Sequence, residues 1–147
     1  MKRLALGLLL ATAAWAESPF VGTWKLDSAK TKFTAGEPPR EETIVVADTG
    51  DHATVTTTGT TASGRPISIR YSVPVKGGAV QIEESPCDAM TVTRTGANIA
   101  DSVCTRRGRQ IGTRHTVISD DGKTMTAIVQ GINAQGRVAG VETYQKQ

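Results

Sequence analysis

The chain has 147 residues, with 17 Lys and Arg against 14 Asp and Glu, a formal charge of +3 and 4% aromatic residues. So near a neutral balance, neither nucleic acid nor an anionic membrane surface is an expected partner. The two histidines, His52 and His115, lack metal-ligand spacing and no cofactor fingerprint is present, so no metal site and no cofactor are expected.

In chain order, Lys2 and Arg3 precede an apolar run from Leu4 to Ala14, and Ala14-Trp15-Ala16 puts small residues at the −3 and −1 positions of a cleavage site. The run is too short to cross a bilayer. Residues 1–16 therefore read as a bacterial secretory signal peptide cleaved after Ala16, and residues 17–147 as a single domain. Cleavage leaves 131 residues and, without Lys2 and Arg3, a net charge of +1. No cysteine sits at the cleavage point to take a lipid anchor, so the expected product is a periplasmic or secreted protein, monomeric and with no stable membrane insertion.

The mature part opens with Phe20-Val21-Gly22-Thr23-Trp24-Lys25-Leu26, read as a first strand over 20–27. Gly22 lets a neighbour approach closely, and Trp24 has the size and rigidity to plug one end of a barrel, so the two are read as barrel-closing residues. The connection 28–40 carries lysines, Gly36 and Pro38-Pro39, with room for one helical turn at most. From there, threonine, valine and isoleucine alternate with glycine-bearing turns at Gly50, Gly64, Gly77, Gly96, Gly108, Gly122 and Gly136. The further strands are expected near 41–48, 52–61, 66–75, 79–84, 89–95, 98–106, 110–118, 124–132 and 137–145. Residues 67–75 alternate most cleanly, with Ile67, Ile69, Tyr71, Val73 and Val75 on one face, and Pro74 marks a bulge or strand end. Short strands joined by tight turns make an all-β, antiparallel up-and-down meander. Closing it into a barrel of about 8–10 strands removes its edges.

Cys87 and Cys104 flank the turn Thr95-Gly96-Ala97-Asn98 almost symmetrically, so a hairpin folded there brings them within reach of a disulfide. Asp48, Gly50, Thr54, Gly59, Ala62, Gly64 and Arg65 recur 72 residues later as Asp120, Gly122, Thr126, Gly131, Ala134, Gly136 and Arg137. Duplication is one explanation; shared turn chemistry in two hairpins is the simpler one.

The expected lining of the barrel interior is Ile69, Tyr71, Val73, Val92, Thr113, His115 and Val129. Period two groups His115 with Ile111, Thr113 and Val117 as an inward set, and His115 reads as a hydrogen-bonded interior histidine rather than a base. Arg94, Arg106, Arg107, Arg109 and Arg114 form a local basic cluster, read as solvated outer positions, with a patch for an anion or an acidic partner as the alternative. No Gly-x-Ser-x-Gly occurs, and the adjacent pairs Glu83-Glu84 and Asp120-Asp121 point apart rather than converge, so catalysis is not expected. Two readings remain: a barrel binding a small, mainly apolar molecule inside, or a ligand-free cell-envelope or protein-interaction barrel.

Phe20 to Leu26 resembles the opening of the intracellular fatty-acid-binding proteins and fits the Gly-x-Trp signature of lipocalins, both calycin barrels. Val141-Glu142-Thr143-Tyr144-Gln145-Lys146 resembles the closing strand of the fatty-acid-binding family. The chain is also similar, over nearly its whole mature length, to small exported bacterial lipocalin-like proteins of uncharacterised function. Those begin near Gly-Thr-Trp-Lys-Leu and carry the hairpin Asp-Gly-Lys-Thr-Met-Thr, here Asp121 to Thr126. The resemblance implies a small-molecule-binding barrel. Two departures stand out. The Arg-x-Tyr that anchors a carboxylate in the fatty-acid-binding family reads Glu142-x-Tyr144 here, and 28–40 is too short for that family's helical lid. If Glu142 faces inward, a cationic or neutral ligand suits it better than an acid; Val141 on the opposite face is the more natural inward residue.

Overall fold

The computed structural model describes residues 18–82, 86–133 and 135–147. The proposed signal peptide lies outside the described residues, as do Glu83, Glu84 and Ala134. Eleven strands form: β1 (Gly22–Leu26), β2 (Lys32–Ala35), β3 (Glu41–Asp48), β4 (His52–Thr60), β5 (Pro66–Pro74), β6 (Gly77–Gln81), β7 (Ala89–Gly96), β8 (Ile99–Arg106), β9 (Arg109–Ile118), β10 (Thr124–Asn133) and β11 (Gly136–Lys146). Ten of them run in the order β5-β4-β3-β1-β11-β10-β9-β8-β7-β6, each antiparallel to its neighbour. The expected meander is therefore the observed one. β5 and β6 meet at the ends of this path without a ladder, so the barrel is nearly closed.

The segment 28–40 differs from expectation, because it contains β2 rather than a purely irregular connection. β1 pairs with only residues 144–146 of the eleven-residue β11, which leaves the middle of that strand uncovered. β2 covers Ala139 to Val141. Between the two strands, the Asp27 carbonyl accepts from the Thr31 hydroxyl at 2.9 Å, and that hydroxyl accepts from the Thr143 amide at 3.2 Å. The interruption thus leaves few backbone groups unpaired.

Loops alternate between two ends. The first end holds residues 18–21 with the turns 49–51, 75–76, 96–98 and 119–123; the second holds 36–40, 61–65, 86–88, 107–108 and Gln135. Trp24 is fully buried near the first end among Leu26, Ile44, Val46, Ile118, Met125 and Tyr144, with Phe20 and Val21 packed on the outside of that cluster. Its indole Nε1 donates to the Phe20 carbonyl at 2.9 Å, which gives the buried N–H its acceptor. Gly22 has φ of +141°, and a Cβ there would meet Cε of Lys146 at 2.6 Å, the side chain whose ammonium lies over the Trp24 ring. The close approach at Gly22 is therefore to a side chain. A second cluster, Val80, Ile82 and Met90 with Ile69, Tyr71, Val73 and Val92, spans the β5/β6 opening, so apolar packing holds the barrel together where hydrogen bonds do not.

Cys87 and Cys104 form a disulfide with Cα atoms 5.5 Å apart. It ties the residues just before β7 to β8 and stabilises by about 3 kcal/mol in the chain-entropy account. Pro74 is the last residue of β5, where a missing N–H costs no ladder bond. The repeat at offset 72 has a structural counterpart in Gly59 and Gly131. A Cβ on Gly59 would come within 2.2 Å of the Glu41 carbonyl oxygen, and one on Gly131 within 2.2 Å of the Ile111 carbonyl oxygen. Each glycine lets a partner strand cross tightly at the second end, which is shared local chemistry rather than a site.

Gly131 also has φ of +109°. Gly131→Ala is expected to lower stability by well over about 1 kcal/mol, whereas Gly96→Ala, with no contact nearer than 3.9 Å, costs less. Denaturant melts of both variants check the difference, and equal losses would contradict the close-crossing account.

Candidate functional site

The inward phase of each strand is set by the register. Arg114 in β9 pairs with Val129 in β10, Thr116 with Ala127 and Ile118 with Met125, and these β10 residues are buried. Glu142 and Tyr144 in β11 pair with Ala127 and Met125 on the same face. In β3, Glu42 shares its face with Ile44 and Val46. Four polar side chains from three strands therefore converge inside an otherwise apolar barrel.

They bind one another. Arg114 Nη1 donates to Glu142 Oε1 at 2.8 Å. The Tyr144 hydroxyl lies 2.9 Å from Glu142 Oε2 and 2.6 Å from Glu42 Oε1, and the Arg114 guanidinium stands 5.7 Å from the centre of the Tyr144 ring. Glu142 is 3% exposed and Tyr144 fully buried. A phenol carries one proton, so it donates to one carboxylate and accepts in the other contact. The second contact is a hydrogen bond only when that carboxyl brings its own proton. Glu42 is the group that does so: burial and then the neighbouring Glu142 raise its pKa to about 7, against the lowering effects of the Tyr144 hydrogen bond and Arg114. Below about pH 7, while it carries its proton, Glu42 donates to the Tyr144 oxygen, and Tyr144 donates to Glu142, which is paired with Arg114. Burial opposes the charge on Arg114, but Tyr144, Glu142 and Glu42 outweigh it and raise its pKa. Burial also pushes the Tyr144 phenol well up.

This network borders a cavity of about 290 Å³. Ile44, Val46, Val55, Ile67, Met90 and Val138 supply much of its apolar wall, and Glu42, Arg114, Thr116 and Ser102 part of its polar wall. Arg114 keeps 29% of its side-chain surface, and it lines the cavity from an inward position of β9. Its Nη2 is buried with no hydrogen-bond partner among the described residues. Tyr71 lines the same cavity, its hydroxyl makes no hydrogen bond to a described residue, and burial raises its pKa.

Of the residues expected to line the interior, Ile69, Tyr71, Val73, Val92 and Val129 border this cavity. Thr113 touches its edge beside Gly112, which has no side chain, but is itself exposed on the outward phase of β9. His115 is not on the cavity. It faces outward, half exposed, with Nδ1 2.5 Å from Asp101 Oδ1 on the neighbouring strand. The expectation took Ile111 and Val117 as the inward phase of β9; the true inward phase is Gly112, Arg114, Thr116 and Ile118. A charged residue sits inside and apolar ones outside, which inverts the usual polarity rule. The same inversion corrects the basic cluster. Arg106, Arg107 and Arg109 are exposed, whereas Arg114 is interior and Arg94 lines the cavity toward the first end, its guanidinium 4.6 Å from the Phe20 ring. Glu142 is inside and Val141 is not. Glu42 and Arg114 were not among the expected site residues. Glu42 had a sequence signal, a charge in phase with Ile44 and Val46; Arg114 had none. Trp24 is no part of the cavity wall, and among the described residues no group of acids, cysteines and histidines has the arrangement of a metal site.

An antiparallel ten-strand meander wrapped around a cavity is a nearly closed all-β barrel with the fold of the fatty-acid-binding-like proteins. Among solved structures, the chain is similar to the zebrafish ileal bile acid-binding protein complexed with cholic acid, with a TM-score of 0.50 and 16% identity over 88% of this chain and 100% of that one. It also matches the Mycobacterium tuberculosis protein Rv2717c, with a TM-score of 0.43 and 16% identity over 88% of this chain and 94% of that one. At 16% identity the likeness to the zebrafish protein is one of fold. No protein-family model matches the sequence, and no curated protein matches it.

The raised pKa of Glu42 has a sign that can be measured. A carboxyl with a higher pKa folded than unfolded stabilises the fold relative to its ionised form below the unfolded value, and that contribution is lost as pH rises toward the folded one. From 4.5 to about 7, the loss between pH 4 and pH 8 amounts to about 3 kcal/mol. Glu42→Gln, which cannot ionise, is expected to gain that much on the wild type across the interval. Urea titrations at several pH values check it, and a difference between the two proteins that does not change with pH would contradict a protonated Glu42.

Proposed function

We propose that this protein is an exported carrier that binds a small, mainly apolar molecule inside the barrel. The observation behind the proposal is the cavity itself, apolar over most of its wall with a compact polar network on one side. That combination is typical of small-molecule sites, in which apolar walls give affinity and a few fixed polar groups give orientation. The similar zebrafish barrel is complexed with cholic acid, which is in keeping with this reading. Carriage rather than catalysis is proposed because the network's acids are bonded to Tyr144 and Arg114, and the His115–Asp101 pair faces outward. The disulfide is consistent with an oxidising compartment. With the segment 1–16 read as a signal peptide, the proposed location is the periplasm or the medium, and the proposed state a monomer.

Native mass spectrometry of protein purified from the cells that make it tests the whole reading. The expected mass is that of 131 residues with one disulfide plus a bound small molecule, released on denaturation. A bare chain in every preparation would favour the ligand-free envelope barrel instead.

A further inference from the structure

Of the two arginines on the cavity, Arg114 is already neutralised, whereas Arg94 lies toward the first end, donating to the Ala97 carbonyl at 2.9 Å with its guanidinium over the Phe20 ring. Arg114 spends Nη1 on Glu142 at 2.8 Å, and the other carboxylate oxygen of Glu142 is held by Tyr144 at 2.9 Å. Glu142 is 3% exposed, so its charge is screened little by solvent, and a second carboxylate brought beside it meets close like-charge repulsion in a low-dielectric setting. Glu42 lies on the same hydroxyl and adds a further acidic group to that wall. Yet hydrogen-bond donors remain. Arg114 Nη2 and Arg94 Nε are buried with no partner among the described residues, and the Tyr71 hydroxyl makes no hydrogen bond to a described residue. The Ser102 hydroxyl, on the strand position opposite Arg114, also lines the cavity. Unpaired buried donors favour any ligand that supplies an acceptor.

Resting on the carrier reading above, we propose that the cavity selects an uncharged apolar molecule bearing one oxygen acceptor, an alcohol, ketone or ester, held by Arg114 and Tyr71, and that Glu142 is the residue that excludes carboxylates. Arg114 remains a donor in this arrangement, because its charge is balanced within the protein and the ligand has only to bring a lone pair. The acceptor loses less hydration on entering than an ion does, which lowers the cost of burial. A cation is disfavoured for a matching reason: the oxygens of Glu142 are occupied by Arg114 and Tyr144.

The test is a matched series, decan-1-ol, decan-2-one, decanoate and decylammonium, titrated into the mature protein at pH 6 by calorimetry. The alcohol and the ketone are expected to bind at least about tenfold more tightly than decanoate, the scale of one hydrogen bond to a charged group set against like-charge repulsion. Glu142→Gln keeps the shape of the side chain and removes its charge, and is expected to reverse the order so that decanoate binds best. Tyr71→Phe is expected to weaken the alcohol several-fold and leave the overall fold, checked by near-ultraviolet circular dichroism, unchanged. The wild-type order decides the matter even if a variant fails to fold. Tightest binding of decanoate or decylammonium to the wild type overturns this selectivity and leaves the carrier reading standing. No binding by any of the four overturns the selectivity; an empty native mass spectrum beside it removes the carrier reading as well.

Discussion

The interior of this barrel depends on one buried ion pair, Arg114 with Glu142, and on the Tyr144 hydroxyl that ties it to Glu42. Two charges in an apolar interior are costly unless their remaining lone pairs and protons are satisfied. Here the carboxylate of Glu142 takes one hydrogen bond on each oxygen, and Glu42, while protonated below about pH 7, closes the chain of donors. Loss of one partner from such a pair leaves a buried charge unbalanced, at a cost of about 3–5 kcal/mol. The network therefore constrains which residues tolerate change more strongly than most of the apolar wall does.

That constraint explains the division of labour inside the fold. Near the first end, Trp24, Leu26, Ile118 and Tyr144 pack without a cavity, and the indole ring of Trp24 is sealed under Phe20 and Lys146. Further along, smaller side chains leave open space. Val92, Val129 and Val138 line it where larger residues would fill it, and Gly112 contributes no side chain at all. Tyr144 belongs to both regions, with its ring in the packed cluster and its hydroxyl in the polar network. The apolar cluster over the β5/β6 opening completes the wall, so the cavity's shape rests on packing there and on hydrogen-bond ladders elsewhere.

The strands and their order were legible in the sequence because glycine-bearing turns punctuate a chain rich in β-branched residues. The alternation in 67–75 groups Ile69, Tyr71 and Val73 on one apolar face, and that face borders the cavity. The same rule misplaced His115 in β9, where the inward residues are Gly112, Arg114, Thr116 and Ile118 and the outward ones include Ile111 and Val117. Hydrophobic periodicity assumes an apolar interior, so it fails on the strand that delivers the interior charge. β2 escaped notice for a different reason: its four residues gain their place from an uncovered stretch of β11 that no local pattern reveals. Glu142 was visible as a departure from the fatty-acid-binding pattern, but its inward orientation followed only from the register with Ala127.

The most direct measurement of this account is the ionisation of Glu42 itself, followed by carbon-13 NMR of the side-chain carboxyl as pH is varied. A folded-state midpoint near 7 is the expected result, because the Tyr144 hydroxyl cannot serve two carboxylates unless one of them carries a proton. A midpoint at the ordinary carboxylate value of about 4.3 would contradict the network as described, and with it the electrostatic basis of the cavity.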